Sequence, residues 1–229
     1  MEILTLKWIA VFVLALVVLG FGISHCGIAA SLVDPINKIP AQDEAVYANT
    51  AIHMAADGDW ISPKFLGRYA FYKPPLLYWT TAIGVKLFGP SLVSLRLPSL
   101  IAGALTALLV FGWLCRFRGM LAGSLGVLLV LSDHLLHVMS RVMMCDALLV
   151  FWITAAMGWV AYDPGLRRRG SPWIFGALAG LAIMTKGVAG VLPLLALVLY
   201  WILAPPKDRP RARAVGLAFA AAAAVGGPW

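Results

Sequence analysis

Charged residues are scarce in this sequence. Only 12% of the 229 residues are Asp, Glu, Lys or Arg, whereas 62% are hydrophobic, and the mean hydropathy is +0.89. A soluble domain of this length cannot bury so much apolar surface in one core. The shortage of charge therefore excludes a soluble globular protein and predicts an integral membrane protein.

Cysteine and acidic residues are also rare. Cys26, Cys115 and Cys145 are odd in number and lie in apolar stretches, which argues against a disulfide framework. The net charge is +8, but the basic residues lie between apolar segments instead of on one soluble face. We therefore interpret them as topology signals, with anion contacts left open, and expect no nucleic-acid partner.

Long apolar runs dominate what is present. The first, approximately 6–33, is too long for the hydrophobic region of a secretory signal, so we expect a retained helix. We predict an all-α, polytopic bundle that forms a single transmembrane domain over 1–229 with about seven spans. The other six run approximately over 93–115, 120–132, 144–162, 173–185, 188–204 and 214–226.

The segment 74–89 decides the predicted topology. It is short and Lys86 interrupts it. Counting it as a span would put two arginine clusters, at 116–118 and 167–169, outside the cell, against the positive-inside rule. We therefore predict an interfacial or re-entrant helix in an outer loop that covers 34–92. The outer side also receives the loop around 133–146 and the turn at Lys186-Gly187.

Several charged side chains would then lie at or near the outer face: Asp43, Glu44, Lys64, Arg68, Lys73, Arg141, Asp146 and Lys186. Snorkelling to water could explain such charges one by one. Asp146 resists that explanation because it stands at the mouth of an apolar run, where moving a carboxylate toward the bilayer centre costs about 3 kcal/mol. We expect Asp146 to face a polar cavity.

The order of several short motifs resembles one enzyme family. The motifs are DEAVYA, GDWISP, YKPPLLYW, LFG, LRLPSLIAGALTALLV, RVMMCDALLVFW and GLAIMTKGVAGVLP. Together they cover roughly residues 30–200 and resemble the lipid-linked-sugar glycosyltransferases with the membrane-embedded C-type fold. The protein mannosyltransferases and the bacterial aminoarabinose transferases that modify lipid A are the most similar members.

This resemblance implies an enzyme that moves a sugar from a polyprenyl-phosphate carrier to a lipid, protein or glycan acceptor. It implies that Asp43 acts as the catalytic base or orients the acceptor, and that Asp146 is a second active-site carboxylate. It implies that Lys73 contacts the carrier phosphate. It also implies an inner, or plasma, membrane protein whose active face points outward to the periplasm.

The residue types agree with such chemistry. A carboxylate can deprotonate or position an acceptor, and a cation can stabilise the negative charge that grows on the leaving phosphate. Asp43 and Glu44 would point about 100° apart on a helix, so we expect one to face the reaction and the other to cap, pair or tune it. Tyr47, one turn away, could stack on a sugar or pack, and packing is favoured.

Three cations are candidates for the phosphate. Lys73 precedes Pro74-Pro75, which stiffen the backbone, although the same pattern could simply mark the positive flank of an interfacial helix. Arg141 can bind a phosphate through two hydrogen bonds. Lys186 lies between two apolar segments, where it is costly unless it meets an anion or water.

Two features depart from the family pattern. The first is Tyr72, which occupies the place before Lys73 where the aminoarabinose transferases commonly have an acidic residue. His134 and His137 could share a metal, but they are more typical of an amphipathic segment than of a metal site. We therefore predict no metal and no cofactor. The chain is also short for the family, so we expect it to lack the carboxyl-terminal part, and activity of these residues alone is in question.

Two other functions stay open at this point. A transporter or lipid flippase would also place charges beside a membrane cavity, but it would be favoured by an inverted internal repeat, and none is visible in the sequence. A non-catalytic membrane subunit would not require a carboxylate at Asp43. Membrane lipids are expected partners in each case.

Overall fold

The computed structural model of the chain describes residues 2–21, 23 and 40–228. Its spatial contacts divide the chain into two compact units, Met1–Leu148 and Leu149–Trp229. Both are helical. The predicted end of the first span, 24–33, lies outside the described residues, and α1 ends at Gly20. The grouping of the whole chain into one transmembrane domain stays a prediction.

The first unit is a set of helices with one short hairpin. Its elements are α1 (Glu2–Gly20), α2 (Pro40–Asp57), β1 (Lys64–Phe65), β2 (Arg68–Tyr69), α3 (Leu76–Phe88), α4 (Leu92–Arg118), α5 (Met120–Ser132), α6 (His134–Ser140) and the start of α7 (Cys145–Tyr162). Helices α1, α4 and α5 share an apolar core of small and large side chains, among them Ala15, Leu19, Ala104, Phe111 and Val127.

The longest helix of this unit begins at a defined cap. The Ser91 hydroxyl accepts a hydrogen bond from the Ser94 N–H at 3.2 Å, and the Ser94 hydroxyl accepts one from the Ser91 N–H at 3.0 Å. This reciprocal pair satisfies two of the N–H groups that a helix start leaves without partners. Helix α4 therefore starts at Leu92, one residue before the predicted start of its span.

Helix α3 is the segment whose placement decided the topology. Its 13 residues measure about 20 Å, short of the roughly 30 Å of a bilayer core. Leu77, Tyr78 and Val85 are buried, while Leu87 and Phe88 at the carboxyl end of the helix are exposed. Its length fits the predicted interfacial helix, whose position in a membrane stays a prediction.

The second unit contains the rest of α7, then α8 (Ser171–Lys186), a 3₁₀ turn (Gly187–Val191), α9 (Leu192–Leu203) and α10 (Ala212–Gly226). Helices α8 and α10 pack closely: a Cβ atom at Gly176 would lie 2.3 Å from the Ala218 carbonyl oxygen. Gly176 and Gly180 form a G-x-x-x-G pattern on this contact, which is typical of helix pairs in membranes.

Three helical stretches of the described chain are long and apolar enough to cross a membrane: Leu92–Arg118, Cys145–Tyr162 and Ser171–Leu203. Helices α5 and α6 qualify together as a fourth, although they meet at a bend of 67°. The structure thus confirms a polytopic helical protein. The predicted number of seven spans stays a prediction.

The third of these stretches reverses direction at Gly187. This glycine has φ 49° and ψ −117°, a region that favours glycine. A Cβ atom at Gly190 would lie 2.3 Å from the Ala182 carbonyl group, whereas residues eight apart in a straight helix are separated by about 12 Å. Helices α8 and α9 therefore form a helical hairpin, and its turn is at the predicted Lys186-Gly187.

Candidate functional site

The two neighbouring carboxylates of α2 have different surroundings. Glu44 is buried at 2% exposure, whereas Asp43 is half-buried. The helix turns the two side chains apart, as expected for adjacent positions. Glu44 is therefore the carboxylate that pairs within the protein. Asp43 is the one that can still contact another group.

Glu44 is held by a buried ion pair with Arg96 of α4. The Arg96 Nε and Nη2 atoms donate to the two carboxylate oxygens of Glu44 at 2.8 and 3.0 Å. The Met143 N–H also donates to Glu44 Oε1 at 2.9 Å. Because Arg96 is 0% exposed, each charge depends on the other for compensation. Glu44 therefore ties α2 to α4 and to the segment before α7. Its predicted catalytic role stays untested.

Asp43 is oriented by Tyr47 from the same helix. The Tyr47 hydroxyl donates a hydrogen bond to Asp43 Oδ2 at 3.1 Å, and the Tyr47 ring meets the Tyr78 ring edge to face with centroids 5.9 Å apart. Burial, then nearby Cys145 and Asp43, raise the pKa of Tyr47 above its ordinary value, so the phenol stays a donor. Tyr47 packs and also positions Asp43.

Tyr78 on α3 links this pair to the neighbourhood of Lys73. Burial, followed by nearby Cys145, Asp43 and Tyr72, raises the pKa of Tyr78. These three groups therefore lie near the buried Tyr78 phenol. The Tyr78 hydroxyl has no hydrogen-bond partner among the described residues. The structure thus brings Asp43, the start of α7 and the residue before Lys73 together.

Lys73 sits between a tight hairpin and helix α3. Leu66 and Gly67 both have positive φ, 49° and 77°, as a two-residue hairpin turn requires. After Lys73, the buried Pro75 fixes the start of α3. Lys73 itself is half-buried and makes no hydrogen bond or ion pair within the part of the chain that is described. Its ammonium group is thus available to an anion.

Asp146 and Arg141 flank the Met143 contact with Glu44. Asp146 lies in the first turn of α7 and is half-buried. A carboxylate there is stabilised by the helix dipole. The Arg141 Nε atom donates to the Leu19 carbonyl oxygen at 2.9 Å. One edge of this guanidinium is thereby used to anchor α1. The roles of Asp146 as a second active-site carboxylate and of Arg141 as a phosphate contact stay predictions.

Lys186 belongs to the second unit. It is the last residue of α8 and is half-buried. A cation at a helix C-terminus is stabilised by the dipole, which gives it a structural reason to be there. Its predicted phosphate contact is untested.

The described part of the chain contains no cluster of metal-binding side chains. Among those residues, no group of three or more His, Cys, Asp and Glu side chains could hold a metal ion. His134 begins α6 and His137 lies one turn later. The prediction that no metal or cofactor is required remains a prediction.

The sequence alone missed the role of Arg96. Arg96 lies inside the apolar run LRLPSL, and sequence alone allows it to be a simple interfacial anchor that snorkels to water. Its partner Glu44 is 52 residues away, and no local spacing connects them. A signal was nevertheless present, because a charge within an apolar helix is costly unless it is paired.

The comparisons with known proteins cover most of the chain. The sequence matches the family described as dolichyl-phosphate-mannose-protein mannosyltransferase over residues 40–223. It is 36% identical over 169 residues to undecaprenyl phosphate-alpha-4-amino-4-deoxy-L-arabinose arabinosyl transferase of Edwardsiella ictaluri, covering 71% of this chain and 30% of that protein. With the Aeromonas salmonicida protein of the same name, identity is 32% over 208 residues, covering 85% and 37%. The chain therefore spans about a third of the length of these relatives.

A solved structure shares the fold. The crystal structure of ArnT from Cupriavidus metallidurans bound to undecaprenyl phosphate superimposes with a TM-score of 0.77 at 24% identity, covering 97% of this chain and 40% of ArnT. This match confirms the predicted all-α C-type glycosyltransferase fold. With the family match over residues 40–223, the finding is plain: the chain belongs to the dolichyl-phosphate-mannose-protein mannosyltransferase family of membrane glycosyltransferases.

Proposed function

We propose that this protein transfers a sugar from a polyprenyl-phosphate carrier to an acceptor at the outer face of the inner membrane. The relatives act, by their names, with an undecaprenyl phosphate-linked aminoarabinose, which makes that donor the first to test. The acceptor is a lipid of the lipid A type, a protein or a glycan.

One observation carries this proposal. Of two adjacent carboxylates, Glu44 accepts hydrogen bonds from Arg96 and from the Met143 N–H, whereas Asp43 accepts one from the Tyr47 hydroxyl and has no second partner among the described residues. No cation pairs with Asp43 in the described residues. A carboxylate that is oriented but not neutralised can accept a proton.

The proposed reaction is one displacement at the anomeric carbon. Asp43 accepts the proton of an acceptor hydroxyl, or orients an acceptor phosphate. The acceptor oxygen bonds to the anomeric carbon, and the bond from that carbon to the carrier phosphate breaks with inversion. Lys73 stabilises the negative charge on the departing polyprenyl phosphate, while Asp146 assists. Arg141 and Lys186 are further candidates for phosphate contact.

In this scheme Glu44 positions helix α2 and does not contact the substrates. Its bonds to Arg96 and to the Met143 N–H hold α2 against the segment that leads into α7. That connection keeps Asp43 near the amino-terminal end of α7, whose first turn contains Asp146. A shift of about 1 Å in such a constellation can cost roughly a hundredfold in rate.

The test measures sugar transfer in membranes that express this chain. Radiolabelled aminoarabinose and mannose on polyprenyl phosphate serve as donors, and the wild type is compared with Asp43→Asn at equal protein level. We expect transfer to fall about 10²–10⁴-fold. Asp57→Asn is the matched control, because Asp57 is an exposed aspartate of the same helix, and it should keep wild-type transfer.

Either of two results would contradict the proposal. Equal transfer by the wild type and Asp43→Asn would remove Asp43 from the reaction. No transfer from either donor by a correctly folded wild type would contradict sugar transfer by these residues alone, and the assay would then be repeated with a full-length relative as a positive control.

A further inference from the structure

A small cavity in the second unit is lined by arginines from the loop before α8 and from the start of α10. Its volume is about 240 Å³, and its charged lining is Arg167, Arg211 and Arg213. Arg167 lies in the loop between α7 and α8, and the other two begin α10. Like charges repel, so three guanidinium groups around one space are more stable when an anion lies between them.

Two other basic residues of these loops, Arg209 and Arg168, have partners within the protein. Arg209 donates to the carbonyl oxygens of Ile202 and Ala204 at 3.2 and 3.1 Å, where it caps the end of α9. Arg168 lies over the Tyr162 ring at 4.2 Å. In contrast, Arg211 and Arg213 make no hydrogen bond or ion pair with their side chains in the described part of the chain.

The position of these two arginines is electrostatically unfavourable without an anion. Arg211 is the N-cap of α10 and Arg213 lies in its first turn. A helix N-terminus carries a partial positive charge that disfavours cations and attracts anions. The first turn of α8, at Pro172, lines the same cavity. The protein therefore gathers five sources of positive potential here: three side chains and two helix starts.

Arg167 is held in place for this arrangement. The two carboxylate oxygens of Asp163 accept hydrogen bonds from the backbone N–H groups of Arg167 and Arg168 at 3.1 and 3.0 Å. The Arg167 Nη2 atom also donates to the Lys207 carbonyl oxygen, which connects the two loops. These hydrogen bonds fix the two loops that lie beside the cavity.

We propose that this cavity binds a phosphate group. Guanidinium groups bind phosphate oxygens through paired hydrogen bonds, and a cavity of about 240 Å³ has room for a phosphate group. Leu166, Ala214 and Leu217 add apolar lining beside the arginines. That combination suits the headgroup of an anionic phospholipid as well as a free phosphate. The proposal is independent of the sugar-transfer site.

The experiment measures binding to the full chain in nanodiscs of neutral lipid. Short-chain phosphatidylglycerol, short-chain phosphatidylcholine and inorganic phosphate are titrated separately and followed by native mass spectrometry. The test variant is the pair Arg211→Gln and Arg213→Gln. The matched control is Arg116→Gln with Arg118→Gln, which removes the same charge from two exposed arginines with the same spacing at the end of α4.

We expect saturable binding of phosphatidylglycerol that weakens about tenfold or more in the test variant and stays within about twofold in the control. Inorganic phosphate that binds equally well would assign the site to a free anion, whereas binding of the lipid alone would assign it to a headgroup. Thermal unfolding of each variant confirms folding. If the glutamine pair is unstable, Arg211→Lys with Arg213→Lys replaces it, because lysine retains the charge but lacks the paired donors of a guanidinium group. Equal weakening in test and control, or no saturable anion binding by the wild type, would overturn the proposal.

Discussion

The two units use positive charge in opposite ways. In the first, Arg96 is fully buried and its counter-ion, Glu44, belongs to the protein. In the second, Arg211 and Arg213 are exposed and meet no carboxylate among the described residues. The charge of a buried cation must be balanced by a counter-ion within the fold, whereas an exposed cation is solvated by water and can bind an external anion. The first arrangement is architectural, and the second is suited to binding.

The largest expected effect breaks the buried pair. Glu44→Gln removes the negative charge that contacts the buried Arg96 guanidinium at 2.8 and 3.0 Å, which should lower the free energy of unfolding by about 3–5 kcal/mol. Thermal unfolding in detergent measures the change. Adding Arg96→Met removes the stranded cation and should recover most of the loss. An unchanged midpoint for Glu44→Gln would show that the pair does not hold this unit together.

The second unit should depend on close helix packing instead. Gly176→Ala would place a Cβ atom 2.3 Å from the Ala218 carbonyl oxygen and 2.6 Å from the Ala221 Cβ atom, so α8 and α10 must separate, at a cost of about 1–3 kcal/mol. Gly216→Ala is the matched control on α10, because nothing lies within 4 Å of its added Cβ atom. The control should be neutral or stabilise by about 0.4–1 kcal/mol. Equal effects on thermal unfolding would contradict the packing argument.

Asp163 should make the loop of the second unit sensitive to acid. Burial raises the pKa of Asp163, but hydrogen bonds from Ser171 and from the backbone of Arg168 and Arg167 outweigh this, and the pKa lies below its ordinary value of 3.8. A depressed pKa stabilises the fold above the unfolded value, and this stability is lost as pH falls through the folded pKa.

The check is the pH dependence of thermal unfolding from pH 7 downward. The wild-type midpoint should begin to fall as the pH approaches the ordinary carboxyl value. Asp163→Asn should cost about 1 kcal/mol at neutral pH and show a flatter acid limb. An identical acid limb in both proteins would mean that another group is responsible.

The smallest effect is expected at an exposed ion pair. Lys64 and Asp59 lie 3.3 Å apart with side chains about one-third exposed. Water and salt screen such a pair, so Lys64→Met should leave the unfolding midpoint unchanged. A clear drop would contradict the distinction between buried and exposed cations drawn above.

The sequence predicted the fold class well because the signal for it is collective. Scarce charge and long apolar runs identify a helical membrane protein, and α5 and α7 lie within a residue of their predicted limits. The sequence also predicted that Asp43 and Glu44 would point apart, since that follows from helix geometry. The identity of the paired carboxylate could not be predicted, because it depends on Arg96 and Met143, which are distant along the chain.

The hairpin of α8 and α9 illustrates another limit. Hydropathy alone separates 173–185 from 188–204 only at Lys186-Gly187, and both halves are short for a full span. The reversal is decided by the backbone at Gly187 and by the approach of Gly190 to Ala182. These are properties of packing, so a hydropathy profile contains them only indirectly.

The glycine contact between α8 and α10 also has a consequence for biosynthesis. Gly176 and Gly180 accept the backbone and side chains of Ala218, Ala222 and Val225, which the ribosome makes some 40 residues later than the glycines. Until α10 is made, α8 lacks the helix that fills its groove of small residues. The second unit therefore completes its packing only after most of its chain has been synthesised.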